Sequence, residues 1–243
     1  MKNLALVLSL SAASLAAMAM QPKEKAEPQP KVITPGAAST DAPSDAIVLF
    51  DGTSLDAWQL PDGKPAGWKL DTPAAKGAGM TMAGGSIITK KNFGSCQIHL
   101  EFATPTNPTG SGQDRGNSGV YLQGRYEVQV LDSFKSETYP DGQCAAVYKQ
   151  HAPLVNACRE PGQWQTYDII FTAPRFSADG KLQSPAYLTV LHNGVLVQNH
   201  FPLEGTTAWD RPPQYTAHAA KEPLVLQNHG NPVRYRNIWL REL

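Results

Sequence analysis

The sequence predicts an all-β domain built as an antiparallel β-sandwich, and three observations support this fold class. Beyond the N-terminal segment, apolar residues almost nowhere recur with the helical period of about 3.6 residues. Short runs that alternate apolar and polar side chains occur throughout the chain, as expected for strands with one buried face. The 20 Gly and 20 Pro among 243 residues favour the many turns that such a sandwich needs.

The first residues are typical of a cleavable export signal. Lys2 precedes an apolar run over residues 4–15, and Ala17-Met18-Ala19 matches a small-x-small cleavage site. The run is too short to span a bilayer, and no Cys follows the cleavage site to carry a lipid. We therefore interpret residues 1–19 as a signal peptide and expect a periplasmic or secreted protein without a membrane span.

The next segment predicts a flexible linker followed by one domain. Residues 20–45 are rich in Pro, Ala, Lys, Glu and Thr and contain almost no large apolar side chain. Residues 46–243 are enough for a single β-sandwich with a sizeable core.

The charge composition indicates which kinds of molecule the protein is expected to bind. The chain carries 21 basic and 21 acidic residues, and only 17% of its residues are charged. This balance argues against nucleic acid or an anionic surface as the main partner. Plentiful Gln, Asn and Thr are compatible with a small, neutral and polar ligand such as a carbohydrate.

The strands of the domain can be followed in chain order. Residues 187–192 and 195–201 predict a hairpin, because Asn193-Gly194 between them is the favoured sequence of a type I′ turn. Alternating or β-branched runs predict further strands over residues 96–102, 126–131, 164–171, 224–227 and 235–240.

Two long polar segments interrupt these strands. Residues 174–185 predict a surface excursion. Residues 202–223 contain Trp209, Tyr215 and His218, and long ordered loops in compact domains often carry function. We expect this second loop to wall a binding site, with a variable surface loop as the alternative.

One strand carries the strongest functional signal. In residues 126–132, Tyr126, Val128 and Val130 point to one face, whereas Glu127 and Gln129 point to the other. An acid and an amide on one rigid surface can bind a polyhydroxylated ligand or supply proton transfer. Asp132 follows at the end of the strand and is the second candidate carboxylate, with a turn cap as its alternative role.

A second polar face adds a candidate base. Since Leu224 and Leu226 are expected to face the core, Gln227 and His229 should face away from it, in the same sense as Glu127. A histidine with an ordinary pKa is a natural general base near neutral pH. Further candidates for substrate binding are Asn117, Tyr121, Lys149 and His151.

The three cysteines predict one disulfide bond if the protein is exported. Cys144 and Cys158 flank a loop that contains a proline and are the better pair, whereas Cys96 alternates with Ile98 and Leu100 and is expected in the core as a free thiol. No compact metal-binding spacing or cofactor motif is present. A divalent metal ion held by distant residues stays an open alternative.

Six segments, by their order and spacing, resemble the 3-keto-disaccharide hydrolase domain family. The resemblance covers about residues 47–243. The segments are Phe50-Asp-Gly-Thr-Ser-Leu-Asp-Ala-Trp58, Gly116-Asn-Ser-Gly-Val-Tyr-Leu-Gln-Gly-Arg-Tyr-Glu-Val-Gln-Val-Leu-Asp-Ser133, Gly162-Gln-Trp-Gln-Thr-Tyr-Asp168, Asn193-Gly194, Leu226-Gln-Asn-His-Gly230 and Arg236-Asn-Ile-Trp-Leu-Arg241.

The resemblance implies a concanavalin A-like jelly roll whose concave sheet binds sugar, and cleavage of glycosides oxidised to a ketone at carbon 3. The implied chemistry is proton abstraction at carbon 2 by His229, elimination of the aglycone with Glu127 or Asp132 as acid, and hydration. Lys149, Gln129 or a metal ion would hold the enolate. Asn228 stands where the family often has Asp, which leaves open any role that needs a charge beside His229.

Two other functions remain open from the sequence. The stretch from Glu127 to Asp132 also resembles the paired-carboxylate strand of laminarinase-type glucanases, with Gln129 in place of a middle acid. Strict alternation places the two carboxylates on opposite faces, which disfavours a conventional two-carboxylate glycosidase. A non-catalytic, lectin-like binding module is the other alternative, since fold does not determine function.

Overall fold

The computed structural model describes residues 28–243, and residues 33–243 form one compact unit. The predicted signal peptide, residues 1–19, and the first part of the predicted linker lie outside the described residues. Within residues 28–243 we find no helix long and apolar enough to cross a membrane.

The described chain is almost entirely strands and loops. Two short 3-10 helices, Gly112–Asp114 and Pro140–Gly142, are its helical elements. The strands are β1 (Ile47–Phe50), β2 (Trp58–Gln59), β3 (Lys69–Leu70), β4 (Met80–Thr81), β5 (Ile87–Phe93), β6 (Cys96–Ala103), β7 (Ser118–Leu122), β8 (Tyr126–Val130), β9 (Gln165–Thr172), β10 (Arg175–Phe176), β11 (Leu182–Ser184), β12 (Tyr187–His192), β13 (Val195–Pro202), β14 (Glu222–Leu226) and β15 (Arg234–Glu242).

These strands form two antiparallel sheets, which confirms the predicted β-sandwich. The larger sheet has the order β13-β12-β9-β6-β15-β4-β3, with β1 paired to β15 as its eighth strand. The smaller sheet has the order β2-β5-β14-β7-β8. Strands β10 and β11 pair only with each other and form a small hairpin inside the predicted surface excursion.

The core lies between the two sheets and follows the period-two pattern of the sequence. Val128 and Val130 of β8 and Ile98 and Leu100 of β6 are completely buried. Burying an aliphatic side chain of this size contributes roughly 1.5–3 kcal/mol. Cys96 is also buried there as a free thiol, as predicted.

The predicted hairpin between β12 and β13 is confirmed together with its turn. His192 pairs with Val195, so Asn193 and Gly194 are the two turn residues. Their φ angles are 53° and 78°, and a type I′ turn requires positive φ at both positions. Asn and Gly tolerate this backbone better than other residues, which is why the dipeptide is such a strong signal.

The C-terminal part of the predicted linker packs against the domain instead of connecting to it flexibly. Asn237 and Trp239 both donate side-chain hydrogen bonds to the backbone oxygen of Thr40, each at 2.9 Å, and Arg241 forms an ion pair with Asp45 at 3.0 Å. Residues from about 34 onward therefore lie against β15. Composition missed the contact at Thr40 because its acceptor is a backbone carbonyl, which every residue carries.

A comparison of two shortened chains tests this anchor. A chain that begins at residue 46 should lose the contacts of Thr40 and Asp45, which are worth about 1–3 kcal/mol together. For a domain of this size the melting temperature should then fall by about 2–8 °C. A chain that begins at residue 33 keeps these contacts and is the control. Equal melting temperatures would contradict the stabilising role of residues 34–45.

Candidate active site

A cavity of about 340 Å³ opens on the face of the smaller sheet that points away from the core. The outward-facing residues of β7, β8 and the end of β14 line it, together with two loops. Six of the predicted catalytic and substrate-binding residues meet here: Asn117, Tyr121, Glu127, Gln129, Gln227 and His229. The structure therefore brings together the two polar faces predicted around Glu127 and His229.

Strand β8 places Glu127 and Gln129 on this outer face, but both side chains are buried. Glu127 is 3% exposed and Gln129 is 1% exposed. The segment around Ala145 and Tyr148 covers the free edge of β8, because Tyr148 N donates to Glu127 O and Ala145 N donates to Gln129 O. The polar face of the strand is thus the floor of a cavity.

A chain of hydrogen bonds holds the Glu127 carboxyl group. Tyr121 lies opposite Glu127 in the β7–β8 pairing, and its hydroxyl donates to Glu127 Oε2 at 2.8 Å. Gln227 Nε2 in turn donates to the Tyr121 hydroxyl at 3.2 Å. The backbone N–H of Glu127 donates to Thr207 Oγ1 at 3.0 Å. Side chain and backbone of Glu127 are therefore both fixed in direction.

Gln129 contributes an amide beside the same carboxyl group. With its NH₂ turned toward β7, Gln129 donates to Ser118 O at 2.9 Å and to Glu127 Oε1 at 3.3 Å. The remaining acceptor of the floor is Gln227 Oε1, which is buried and has no hydrogen-bond partner among the described residues. It is available to a hydroxyl group of a ligand.

Gly119 leaves the space that the carboxyl group occupies. A Cβ atom at this position would fall inside the contact distance of Glu127 Oε1 and would lie 2.9 Å from Tyr121 Cε2. Real Cβ atoms do not approach other atoms so closely, so any side chain here would displace Glu127. The glycine is required for space rather than for an unusual φ angle.

Burial changes the protonation of this group. Burial raises the pKa of Glu127 from 4.5 to about 8, although the hydrogen bond from Tyr121 acts in the opposite direction. Burial and the nearby carboxyl group also raise the pKa of the Tyr121 phenol, which therefore keeps its proton and donates it. Near neutral pH the floor thus carries a protonated carboxylic acid, which can act as a general acid.

His229 lies at the exposed rim of the cavity. It follows β14, and its ring makes no hydrogen bond to any described residue. The prediction that Gln227 and His229 face away from the core is confirmed, since Leu224 and Leu226 are buried beneath them. A free imidazole therefore faces the same space as the protonated Glu127.

The long loop between β13 and β14 forms the opposite wall, as predicted for residues 202–223. Thr207, Ala208 and Trp209 line the cavity. Thr207 N donates to Arg125 O at 2.9 Å, which ties this wall to the start of β8. Trp209 is 79% exposed and projects an aromatic surface at the cavity.

Three lining residues were not identified from the sequence. Thr207 and Ala208 belong to the loop that was predicted to wall a site, but nothing in the sequence marks these two residues as lining residues. Tyr148 follows a stretch without strand periodicity, and its position depends on its pairing with β8. Its hydroxyl lies 2.6 Å from that of Tyr139, a pair that no spacing rule could have found.

The structure does not place Asp132, the second candidate carboxylate, in the cavity. Asp132 is buried outside the cavity, forms an ion pair with Arg115 at 2.7 Å and accepts a hydrogen bond from Phe134 N at 3.2 Å. Its alternative role as a turn cap is confirmed. Because β8 ends at Val130, the alternation that places Glu127 in the cavity does not extend to Asp132.

Lys149 and His151, predicted to bind substrate, do not line the cavity. Lys149 Nζ lies 3.4 Å from the ring centroid of Tyr139, a cation–π contact. His151 Nδ1 is 2.9 Å from Gln198 Oε1, and its ring stacks on Phe201. Both side chains leave the cavity because the chain turns sharply after Tyr148, where Lys149 adopts a φ of 61°.

The predicted disulfide bond is absent from the structure. Cys144 and Cys158 are free cysteines whose sulfur atoms lie within 4.8 Å of each other. The sequence therefore identified two neighbouring cysteines. The two sulfur atoms are not joined in the structure, and Cys144 Sγ contacts the hydroxyl of Tyr167 at 3.0 Å, so the disulfide bond stays a prediction.

Comparison with known proteins identifies a matching family model and similar solved structures. The family model described as "3-keto-alpha-glucoside-1,2-lyase-like domain" matches residues 45–241. A crystal structure of a candidate glycosyl hydrolase from Parabacteroides distasonis ATCC 8503 is 47% identical, with a TM-score of 0.85, and the match covers 91% of this chain and 95% of that chain.

A second candidate glycosyl hydrolase structure from the same organism shows the fold alone. It is 19% identical with a TM-score of 0.58, and the match covers 82% of this chain and 94% of that chain. The comparison with curated proteins found no match.

The protonation of Glu127 should appear in the pH dependence of stability. Between about pH 4.5 and about pH 8 the folded chain holds a proton that the unfolded chain releases. This contribution to stability is complete below pH 4.5 and is lost as the pH rises toward 8. As the pH rises through this window, the free energy of unfolding of the parent should therefore fall by on the order of 1 kcal/mol per pH unit compared with that of Glu127→Gln.

Urea unfolding at several pH values across this window measures the difference. Glu137→Gln is the control, because Glu137 is exposed and its replacement should leave the pH dependence of the parent unchanged. A constant difference between the parent and Glu127→Gln across the window would contradict the raised pKa.

Proposed function

The chain belongs to the family of 3-keto-alpha-glucoside-1,2-lyase-like domains, and from this premise we propose that it cleaves glycosides whose sugar carries a ketone at carbon 3. The observation that carries this proposal is the pairing of one buried carboxyl group, Glu127, with one free imidazole, His229, in a single cavity. We also propose that the chain is exported, as residues 1–19 suggest.

The ketone determines which bond is weakened. It acidifies the hydrogen on carbon 2, and His229 removes that proton as general base. The electron pair of the broken C–H bond forms a C2=C3 double bond, and the ketone oxygen becomes an enolate. The enolate then restores the ketone and forms a C1=C2 double bond, while the bond between C1 and the aglycone oxygen breaks.

Glu127 is suited to the second half of this reaction. A carboxyl group with a pKa of about 8 is protonated near neutral pH and can give its proton to the departing aglycone oxygen. Water then adds across the C1=C2 bond: its hydroxyl group bonds to carbon 1, its other proton returns to Glu127, and the proton held by His229 returns to carbon 2. The net reaction is hydrolysis, and both side chains recover their starting protonation.

The other floor residues fit the binding of a polyhydroxylated ring. Gln227 Oε1 offers an unpaired acceptor, and Asn117, just before β7, and Gln129 on β8 add amide groups. A cavity of about 340 Å³ is compatible with one sugar ring and part of an aglycone. Polar groups on a rigid sheet hold a substrate in a defined orientation, which is needed for proton transfer.

A conventional glycosidase fits this cavity less well. Retaining and inverting enzymes need two carboxyl groups that flank the scissile bond. Among the described residues that line the cavity, Glu127 is the single carboxyl group, since Asp132 pairs with Arg115 elsewhere. The 47% identical relative is itself described as a glycosyl hydrolase candidate, which favours bond cleavage over simple sugar binding.

Deuterium exchange at carbon 2 tests the role of His229. The enzyme in deuterated water should exchange this hydrogen in a 3-keto glucoside but not in the parent glucoside. His229→Asn should lower both the exchange and the turnover by ~10²-fold or more, the usual contribution of a positioned general base. The matched control is His200→Asn, because His200 is exposed and does not line the cavity.

Glu127→Gln separates the two halves of the reaction. It should keep exchange at carbon 2, because the base is intact, while release of the aglycone slows by ~10²-fold. Normal turnover of His229→Asn would remove His229 from the mechanism. Cleavage of unoxidised glucosides without exchange would favour the two-carboxylate glycosidase, and binding without turnover would favour the lectin-like module.

Trp209 is proposed as the platform for the aglycone. Its exposed ring stands at the cavity wall, and aromatic stacking is worth about 0.5–1.5 kcal/mol. Trp209→Ala should raise KM for a 3-keto disaccharide about 3–10-fold. The methyl 3-keto glucoside, whose aglycone is too small to reach the ring, is the control and should keep its KM. An equal change for both substrates would contradict this assignment.

A further inference from the structure

A group of three metal-ligating side chains lies outside the candidate active site. Cys144, Cys158 and His192 each offer a ligand atom, and these three atoms lie within 4.8 Å of one another. Cys144 and His192 are almost fully buried, whereas Cys158 is partly exposed. Within residues 28–243 no second group of three His, Cys, Asp or Glu side chains meets this geometry.

We propose that Cys144, Cys158 and His192 form a binding site for a thiophilic divalent cation of the Zn²⁺ type. Two thiolates and one imidazole are a usual donor set for zinc, with Zn–S near 2.3 Å and Zn–N near 2.0 Å. In a tetrahedral site the ligand atoms would be up to about 3.8 Å apart. The separation in the structure therefore requires only small movements of the side chains.

The surroundings of His192 support a role as a ligand. Its Nε2 lies 2.9 Å from Gln165 Oε1, and Gln165 Oε1 also accepts a hydrogen bond from Arg159 N at 2.9 Å. This arrangement fixes the ring and leaves Nδ1 as the nitrogen available to a metal. Metal-binding histidines characteristically have their second nitrogen held in this way.

Both cysteines are held by neighbouring groups, and Cys158 is accessible to solvent. Tyr167 packs its hydroxyl 3.0 Å from Cys144 Sγ, and Cys144 N donates to Ser133 Oγ at 2.9 Å. Cys158 N donates to Asn156 Oδ1 at 3.0 Å. Because Cys158 is only partly buried, solvent can supply an entry path and a fourth ligand.

A disulfide bond accounts for fewer of these features. It would need the two sulfur atoms at about 2.05 Å and would give His192 no role. A metal uses all three side chains, which come from two loop positions and the end of β12. It would tie the segment from Cys144 to Cys158, which carries Tyr148 of the cavity wall, to the larger sheet.

Elemental analysis of the full-length protein, purified without chelator or added reductant, tests the proposal. The parent should contain a stoichiometric amount of zinc, and Cys158→Ser and His192→Asn should lose it. Cys96→Ser is the matched control, because Cys96 is buried in the core away from the cluster and its replacement should leave the metal content unchanged.

A second measurement uses the parent alone and does not depend on the folding of variants. Cobalt(II) should give the absorption of a thiolate complex, and zinc should raise the melting temperature in a way that a chelator reverses. Intact mass showing the loss of two hydrogen atoms, with Cys144 and Cys158 joined and no metal, would overturn the proposal. Free thiols that bind neither zinc nor cobalt would overturn it equally.

Discussion

The burial of one carboxyl group on the outer face of β8 is the constraint on which the site depends. Removing an unpaired, ionised carboxylate from water costs several kcal/mol, so Glu127 must be protonated or hydrogen-bonded. The structure does both, because burial raises its pKa to about 8 and Tyr121 donates to its Oε2. The residues that cover the strand, around Ala145 and Thr207, therefore contribute to the environment that sets the protonation of Glu127.

The sandwich supplies the rigidity that this arrangement needs. The inward face of β8 is fully buried in the core, with Val128 and Val130 at 0% exposure. Its outward face carries Glu127 and Gln129. The backbone of β8 is hydrogen-bonded to β7 along one edge and to the segment around Ala145 and Tyr148 along the other. Gly119 on β7 leaves room for the carboxyl group, so one missing side chain decides where Glu127 Oε1 lies. A site built on packed strands keeps its geometry better than one built on loops.

The cavity wall and the cysteine cluster are physically connected. Tyr167 donates to the backbone oxygen of Gln129 at 2.7 Å and contacts Cys144 Sγ from the same hydroxyl group. The segment that follows Cys144 pairs with the edge of β8 and brings Tyr148 to the cavity. A bond or a metal ion at the two sulfur atoms would therefore affect how firmly the wall of the cavity is held.

The sequence by itself determined the fold class, the hairpin at Asn193-Gly194 and six residues of the site, because strand alternation and turn chemistry are local properties. It could not separate Asp132 from Glu127, since the end of β8 and the Arg115 ion pair depend on contacts distant in the chain. Only the tertiary structure decided that Glu127 is buried, that Tyr148 and Thr207 close the cavity and that His192 meets two cysteines. Those features arise from the packing of segments that are far apart in sequence, and no local pattern encodes which distant group will cover a given face.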